Sequence, residues 1–152
     1  MNQDTFLNIK PGRDLDIKVA LEVMGYIWLK HLLQFSAELA VKWLGTSTDL
    51  KESCGMYIVV PDSQLLALKE RETYDEAVLN FSTEMRPASQ VIDRMKELGY
   101  EYHLETKTEQ DADVYYVDFH KPGSVSEERL IGFRALPEAI VKAALIAILC
   151  NK

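Results

Sequence analysis

Four polar side chains are the first candidates for a ligand site: Ser82, Thr83, Arg86 and Arg134. The two hydroxyls stand just before a helical pattern, one arginine follows in its first turn, and the other lies in a later strand pattern. A hydroxyl at a helix entry usually caps free backbone N–H groups, but the same N-terminus attracts anions, and arginine binds them well. The sequence therefore predicts either a helix cap at the hydroxyls or a site in which all four residues bind a small anion. Pairing of Arg134 with a carboxylate such as Asp118 is the structural alternative.

The imidazoles are His31, His103 and His120. If the segments 100–107 and 113–120 form paired strands, His103, Asp118 and His120 share the less apolar face of the sheet. A metal site needs two imidazoles and a carboxylate to converge, and no recognised spacing motif supports that here. We hold the metal site as a hypothesis and predict no metal.

No catalytic motif accompanies these residues. Arg13, Asp14 and Asp16 lack the glycines of a phosphate-binding loop, and no serine stands in a GxSxG turn. Cys54 and Cys150 lie far apart without CxxC spacing, which predicts two buried free thiols. We therefore predict no catalytic residue and no cofactor.

Composition limits the class of protein. The chain has 152 residues, of which 47% are hydrophobic and 27% charged, and this predicts a single domain over residues 1–152. A net charge of −7 disfavours binding to nucleic acid, and the interspersed acidic residues indicate a solvated surface rather than a DNA mimic. The chain has no export signal and no apolar run of membrane length, so we expect a cytoplasmic protein without membrane contact.

The first half of the chain predicts two helices and a strand. A helix begins near Asp14 and ends at Gly25, and apolar spacing predicts a second helix over 32–44, with Tyr26 to Leu29 either leading into it or extended. The segment MYIVV, residues 56–60, predicts a strand that ends at a Pro61-Asp62 turn. Residues 63–81 show no clear pattern.

The second half alternates helix and strand. Pro87 to Leu98 carries one apolar stripe and is followed by Gly99, which predicts a helix and its end. The segments 100–107, 113–120 and 129–135 alternate in hydrophobicity and predict an antiparallel meander. The last segment, LPEAIVKAALIAILC, is apolar nearly all round except for Glu138 and Lys142, spaced as an ion pair. It must be buried on several sides, against the sheet and another helix or a second subunit.

These elements predict an α+β fold in which an antiparallel sheet of three to four strands is sandwiched between helices. Three segments carry a family resemblance: KPGRDLDIKVALEVMG at 10–25, FSTEMRPASQVIDRMKELGY at 81–100, and LPEAIVKAAL at 136–145. In content and order they resemble the phage "ABA sandwich" family, small phage and prophage proteins of unknown function. The chain departs from the family pattern at Phe81, at Glu84 and at Arg86-Pro87. The resemblance implies a helix-covered sheet and no particular reaction.

The function expected from these features is that of a phage or prophage accessory protein that acts by binding a host protein or a small anionic ligand, with countering host defence as a subcase. Two alternatives stay open. One is a small hydrolase or nucleotide-processing enzyme that uses the hydroxyls, Arg86 and the histidines. The other is a structural subunit that forms a homodimer through the C-terminal helix.

Overall fold

A computed structural model of the chain describes residues 7–33, 41–70, 79–123 and 132–150. The chain forms two compact units: the main unit combines Met1–Met24 with Asn80–Lys152, and the inserted unit spans Gly25–Leu79. Helices and mostly antiparallel strands make up the chain, so the predicted α+β class is confirmed. The strands form a four-stranded and a three-stranded sheet, where the sequence predicted one. That residues 1–152 fold as one cooperative domain stays a prediction.

In the sequence, the elements of the inserted unit lie between the first helix of the main unit and its remaining elements. They are α1 (Arg13–Glu22), β1 (Ile27–His31), β2 (Val41–Gly45), α2 (Ser47–Glu52), β3 (Tyr57–Val59), a 3-10 turn (Asp62–Gln64), β4 (Lys69–Glu70), α3 (Met85–Glu97), β5 (Glu101–Glu109), β6 (Ala112–His120), β7 (Gly132–Phe133) and α4 (Leu136–Cys150).

The clearest predicted helix, α3, is confirmed and begins two residues earlier than expected, at Met85. Its stripe is buried at Ala88, Val91 and Met95, which explains why a helix forms here. The helix ends as predicted at Gly99, which has a φ of 93°. The N–H of Gly99 bonds to the carbonyl of Lys96 at 3.0 Å, and the N–H of Tyr100 to that of Met95 at 2.9 Å, the paired bonds of a glycine-terminated helix.

The predicted strand pair is confirmed as the hairpin β5–β6. Its register runs from Glu101 opposite His120 to Glu109 opposite Ala112. Gln110 and Asp111 form the turn with φ values of 52° and 61°, as a two-residue hairpin turn with positive φ at both positions requires. At the turn the strands therefore extend beyond the predicted ranges 100–107 and 113–120, to Glu109 and Ala112. The third predicted strand is present as β7, which pairs with β6; residues 129–131 of the predicted range lie outside the described residues.

Helix α4 is the centre of the main unit. It contacts β6 and β7 of the sheet as well as α1 and α3. The four consecutive residues from Ala139 to Lys142 are all buried, and consecutive residues of a helix point in all directions around it. The prediction of burial on several sides is confirmed, and this burial arises within one chain. The helix therefore gives no specific support to a homodimer through its apolar surface.

The inserted unit corrects the predicted helix over 32–44. Residues Val41–Gly45 are strand β2, which pairs antiparallel with β1, while 34–40 lie outside the described residues. The spacing of Leu39 and Trp43 fits a helix, but Val41, Trp43 and Gly45 also alternate as a strand does, and pairing with β1 decides between the two patterns. The extended alternative for Tyr26 to Leu29 is confirmed from Ile27 onward by β1.

The sheet of the inserted unit has the order β3-β1-β2-β4. Strand β3 confirms the strand predicted in MYIVV, and the turn after it begins at Pro61 as expected. In the unpatterned stretch 63–81 the short strand β4 pairs parallel with β2, and residues 71–78 lie outside the described residues. The inserted unit thus presents two faces of a small sheet.

Candidate functional site

Ser82 is buried and joins two segments of the main unit instead of capping α3. Its hydroxyl accepts a hydrogen bond from the N–H of Gly12 at 2.9 Å, and its own N–H donates to the Asp16 carboxylate at 2.7 Å. The N-cap of α3 is Glu84, whose side chain makes no capping bond. The predicted hydroxyl cap is wrong, because the helix begins later than Ser82 and the polar atoms of Ser82 already have partners at the start of α1.

The other three predicted ligand-binding residues are exposed. Thr83 and Arg86 flank the start of α3, and Arg134 lies between β7 and α4. Within the described ranges none of the three side chains forms a hydrogen bond or ion pair. The alternative pairing of Arg134 with Asp118 is not found, since Asp118 pairs with His120 at 3.1 Å. No contact there links Arg134 to the others, so the four-residue anion site stays a prediction.

The predicted polar face of the β5–β6 hairpin is confirmed. His103 lies opposite Asp118, and Glu101 lies opposite His120, which places all four side chains on one face. His120 approaches Glu101 at 3.2 Å and Asp118 at 3.1 Å, while His103 approaches Glu105 at 3.3 Å. Among the residues described, no three His, Cys, Asp or Glu side chains are placed to hold a metal ion. The face carries separate acid–imidazole contacts.

One thiol and two phenols are further candidates for nucleophilic or general-base chemistry. Cys54 is an exposed free thiol, contrary to its predicted burial, and the side chain of Cys150 is outside the described set. Burial raises the pKa of Tyr26, and the Asp49 carboxylate adds to this. The hydrogen bond to Glu109 raises the pKa of Tyr116, helped by burial and by the charge of Glu109. Both phenols therefore stay protonated at neutral pH and can donate but not act as bases.

The inserted unit holds two buried lysines on one face of its sheet. Lys30 is 8% exposed and Lys42 is 9% exposed. In the register of β1 and β2, Trp28 lies opposite Leu44 and Leu29 opposite Trp43. Continuing this register by one residue places Lys30 opposite Lys42, so the two lysine side chains are cross-strand neighbours. Lysine is rarely this buried unless it is paired, which makes this the least ordinary polar arrangement in the unit.

Neutral oxygen atoms are the partners of both ammonium groups. Lys30 Nζ donates to Oε1 of Gln64, and Lys42 Nζ donates to the backbone carbonyl of Leu65. Lys42 Nζ also lies 4.7 Å from the ring centroid of Trp28. Across the described part of the chain neither lysine forms an ion pair with a carboxylate. We call Lys30, Lys42 and Trp28 the lysine face.

One acidic residue lies near the lysine face. Glu70 is opposite Lys42 in the parallel pairing of β4 with β2. Its side chain is exposed and does not approach Lys42 closely enough to form an ion pair. The positive charges of Lys30 and Lys42 are therefore neighbours, and nearby negative charge neutralises them only in part. Burying such charges costs free energy, and binding of an anion would reduce that cost.

The opposite face of this sheet is aromatic and packed. The ring centroid of His31 lies 5.1 Å from those of Trp43 and of Tyr57, and the last two are 5.0 Å apart. Rings at this distance contact one another and leave no space between them for a ligand. On the sheet of the inserted unit, as far as it is described, the buried charged groups are therefore on the lysine face.

Sequence reasoning missed the lysine face because it placed Val41 to Gly45 in a helix. The signal was present: in IWLKH and VKWLG a single lysine interrupts each apolar run. Read as strands, these runs put both lysines on the same face as Trp28 and Leu44. Pairing of the two segments, which the sequence does not display, was the missing information.

The chain matches no model of a known protein family, no curated protein sequence and no solved structure. The resemblance to the phage ABA sandwich family therefore stays a prediction from the three segments that carry it. Among the helices described, none is long and apolar enough to cross a membrane.

Proposed function

We propose that the protein is a phage or prophage accessory protein that acts by binding, and that its ligand is a small anion held at the lysine face of the inserted unit. The single observation that carries the anion is the pair of buried ammonium groups, on Lys30 and Lys42, whose hydrogen-bond partners are neutral oxygens. A cation without a carboxylate in a poorly solvated position gains most from an anionic partner.

The net charge of the chain indicates that affinity for an anion would be local to the two lysines. At −7 the protein as a whole repels anions at long range, so a general basic surface is not the reason for binding. Affinity must come from the two local cations, where low exposure strengthens each charge–charge interaction. An anion of matching size is therefore expected to bind at one site with a stoichiometry of one per chain.

The phage assignment is supported by the three segments quoted above. Two of them meet in the main unit, where Gly12 and Asp16 of the first hydrogen-bond to Ser82 of the second. Residues of two resembling segments therefore hydrogen-bond to each other, as expected if these segments are shared because they stabilise a common fold. This structural role accounts for the sequence pattern without requiring an active site. Countering a host defence is a subcase of this proposal and adds no residue to it.

Calorimetric titration of the whole protein with inorganic pyrophosphate tests the anion proposal. Wild type is expected to bind one equivalent, and Lys30→Gln with Lys42→Gln together should reduce affinity at least about tenfold, since each substitution removes a charge-assisted hydrogen bond. The matched control is Lys51→Gln with Lys69→Gln, which removes the same charge from exposed positions of the same unit. Equal affinity of both double variants would refute the lysine face as the site.

The two alternatives are tested separately. A small hydrolase or nucleotide-processing enzyme would turn over pyrophosphate or a nucleotide, and phosphate release measured over hours would reveal it. A homodimer through the C-terminal helix predicts twice the chain mass in light scattering. The four-residue site of Ser82, Thr83, Arg86 and Arg134 predicts that Arg86→Gln with Arg134→Gln, rather than the lysine substitutions, abolishes anion binding.

A further inference from the structure

Residues 61–68 cover the lysine face, and we call them the cover segment. Their hydrogen bonds are mostly internal: the N–H of Gln64 bonds to the carbonyl of Pro61 at 2.8 Å, and the N–H of Leu68 to that of Gln64 at 3.1 Å. Leu66 is 100% exposed. The segment is therefore a compact turn that keeps its own backbone bonds and leaves one large apolar side chain in water.

Two hydrogen bonds tie the described cover segment to the sheet, and both end on the lysines. They are the bond from Lys30 to the Gln64 side chain and the bond from Lys42 to the Leu65 carbonyl. The two acceptors belong to adjacent residues, Gln64 and Leu65, and each bonds to one of the two cross-strand lysines. Both acceptor oxygens are uncharged.

On the basis of the anion site proposed above, we infer that the cover segment is an internal competitor for the ligand. The Gln64 side chain and the Leu65 carbonyl hold the positions that two oxygens of the anion take, and binding displaces the segment from the lysines. The ligand class that fits is a compact anion with at least two charged oxygens, of which pyrophosphate is the simplest probe.

Exchange of these partners is favourable for a physical reason. Hydrogen bonds between an ammonium group and a charged oxygen are stronger than those to a neutral oxygen, so the anion outcompetes the segment. After displacement the Gln64 amide and the Leu65 carbonyl can bond to water, and the internal backbone bonds of the segment are kept. Local opening of a weakly attached turn costs little compared with unfolding of the unit.

Substitution of Gln64 in the whole protein distinguishes this device from a simple anion site. Gln64→Ala removes one competing oxygen and is expected to tighten pyrophosphate binding roughly two- to tenfold, the effect of one hydrogen bond. Gln64→Glu supplies a charged oxygen to Lys30 and is expected to weaken binding by a similar or larger factor. Ser63→Ala, at an exposed neighbouring position, is the control and should leave affinity unchanged.

Three outcomes decide between the proposals when the melting temperatures of all variants are checked first. Opposite changes for Gln64→Ala and Gln64→Glu support the internal competitor. Weaker or unchanged binding by Gln64→Ala, with binding still lost in the Lys30 and Lys42 double variant, overturns the competitor and leaves the anion site standing. Unchanged binding in that lysine double variant overturns the anion site and the competitor with it.

Discussion

The main unit and the inserted unit both bury lysines, but they neutralise them differently. In the main unit Lys142 is 2% exposed, lies 3.7 Å from the Glu138 carboxylate and donates to the Leu7 carbonyl at 3.0 Å. In the inserted unit, among the residues that the structure describes, Lys30 and Lys42 donate to neutral oxygens. A buried cation that is paired with a carboxylate is already neutralised within the protein, whereas binding of an anion is favourable next to a buried cation that has no such partner.

Asp16 is a second buried charge of the main unit, and it also has a structural partner. The Asp16 carboxylate, 4% exposed, accepts the Ser82 N–H and lies in the segment that carries the family resemblance. Lys142 and Asp16 thus hold segments of the main unit together. Among the residues described, the hydrogen bonds from Lys30 and Lys42 go to the cover segment, and the proposed anion site rests on this difference.

The largest expected effect comes from one substitution made at each of the three buried lysines. Lys142→Met should lower the free energy of unfolding by roughly 2–3 kcal/mol, because it leaves the largely buried Glu138 carboxylate without its cation. Lys30→Met and Lys42→Met should change it by less than about 0.5 kcal/mol or raise it, because each removes a poorly compensated charge. Urea denaturation of the three variants checks the comparison. Equal losses at all three positions would erase the distinction between the units.

A smaller effect is expected at the Asp16 contact. Asp16→Ala leaves the buried N–H of Ser82 without an acceptor and should cost about 1–2 kcal/mol of stability. Asp16→Asn keeps an acceptor oxygen at the same place and is the matched control, with an expected loss of less than half as much. Thermal unfolding followed by circular dichroism measures both. Identical melting temperatures for wild type and Asp16→Ala would show that the contact is dispensable.

Glu70 provides a way to sharpen the electrostatic part of the comparison. Glu70→Gln removes the carboxylate opposite Lys42 and should strengthen pyrophosphate binding about two- to fivefold at low salt, the size of an exposed charge interaction. The gain should shrink at high salt because the residue is exposed and its charge is screened. Calorimetry at two salt concentrations measures this. Weaker binding by Glu70→Gln would place the anion elsewhere.

The smallest effect concerns Tyr26 of the inserted unit. Its pKa is raised above the ordinary value of 10.0 by burial first and by the Asp49 carboxylate second. Asp49→Asn should therefore lower this pKa without restoring 10.0, since burial remains. Because the folded state holds the phenolic proton more tightly than the unfolded state, stability should fall as pH rises through 10.0 and the raised pKa. Ultraviolet difference titration against Tyr26→Phe isolates this group, and an unchanged pKa in Asp49→Asn would contradict the electrostatic cause.

Local patterns predicted much of the main unit. Helix α3 has one stripe and a glycine end, the strands of the β5–β6 hairpin alternate over 100–105 and 115–120, and α4 is apolar nearly all round. Each of these elements could therefore be predicted from neighbouring residues. The inserted unit was predicted less well because its strands are short and its pattern near Trp43 fits two periods. There the pairing of separated segments, rather than local spacing, determines the structure.

The contacts of the candidate site residues also depend on segments that are far apart in the sequence. Ser82 was singled out as a helix cap or an anion ligand, but its partners lie some 70 positions away at the start of α1, and no local rule identifies them. The exposed residues Thr83, Arg86 and Arg134 were noticed for their chemistry, which the fold leaves without a bonding partner among the residues described. The proposed site at Lys30 and Lys42 becomes recognisable only once β1 and β2 are paired.

Trp28 offers the most direct test of the central claim, because the ammonium group of Lys42 lies 4.7 Å from its ring centroid. In a Trp43→Phe background Trp28 is the only tryptophan of the chain, so its fluorescence reports on the lysine face alone. Addition of pyrophosphate is predicted to change the emission of Trp28 in a saturable manner, and Lys42→Gln in the same background is predicted to abolish the change. An emission that does not respond to pyrophosphate, or that responds equally without Lys42, would contradict an anion site at the lysine face.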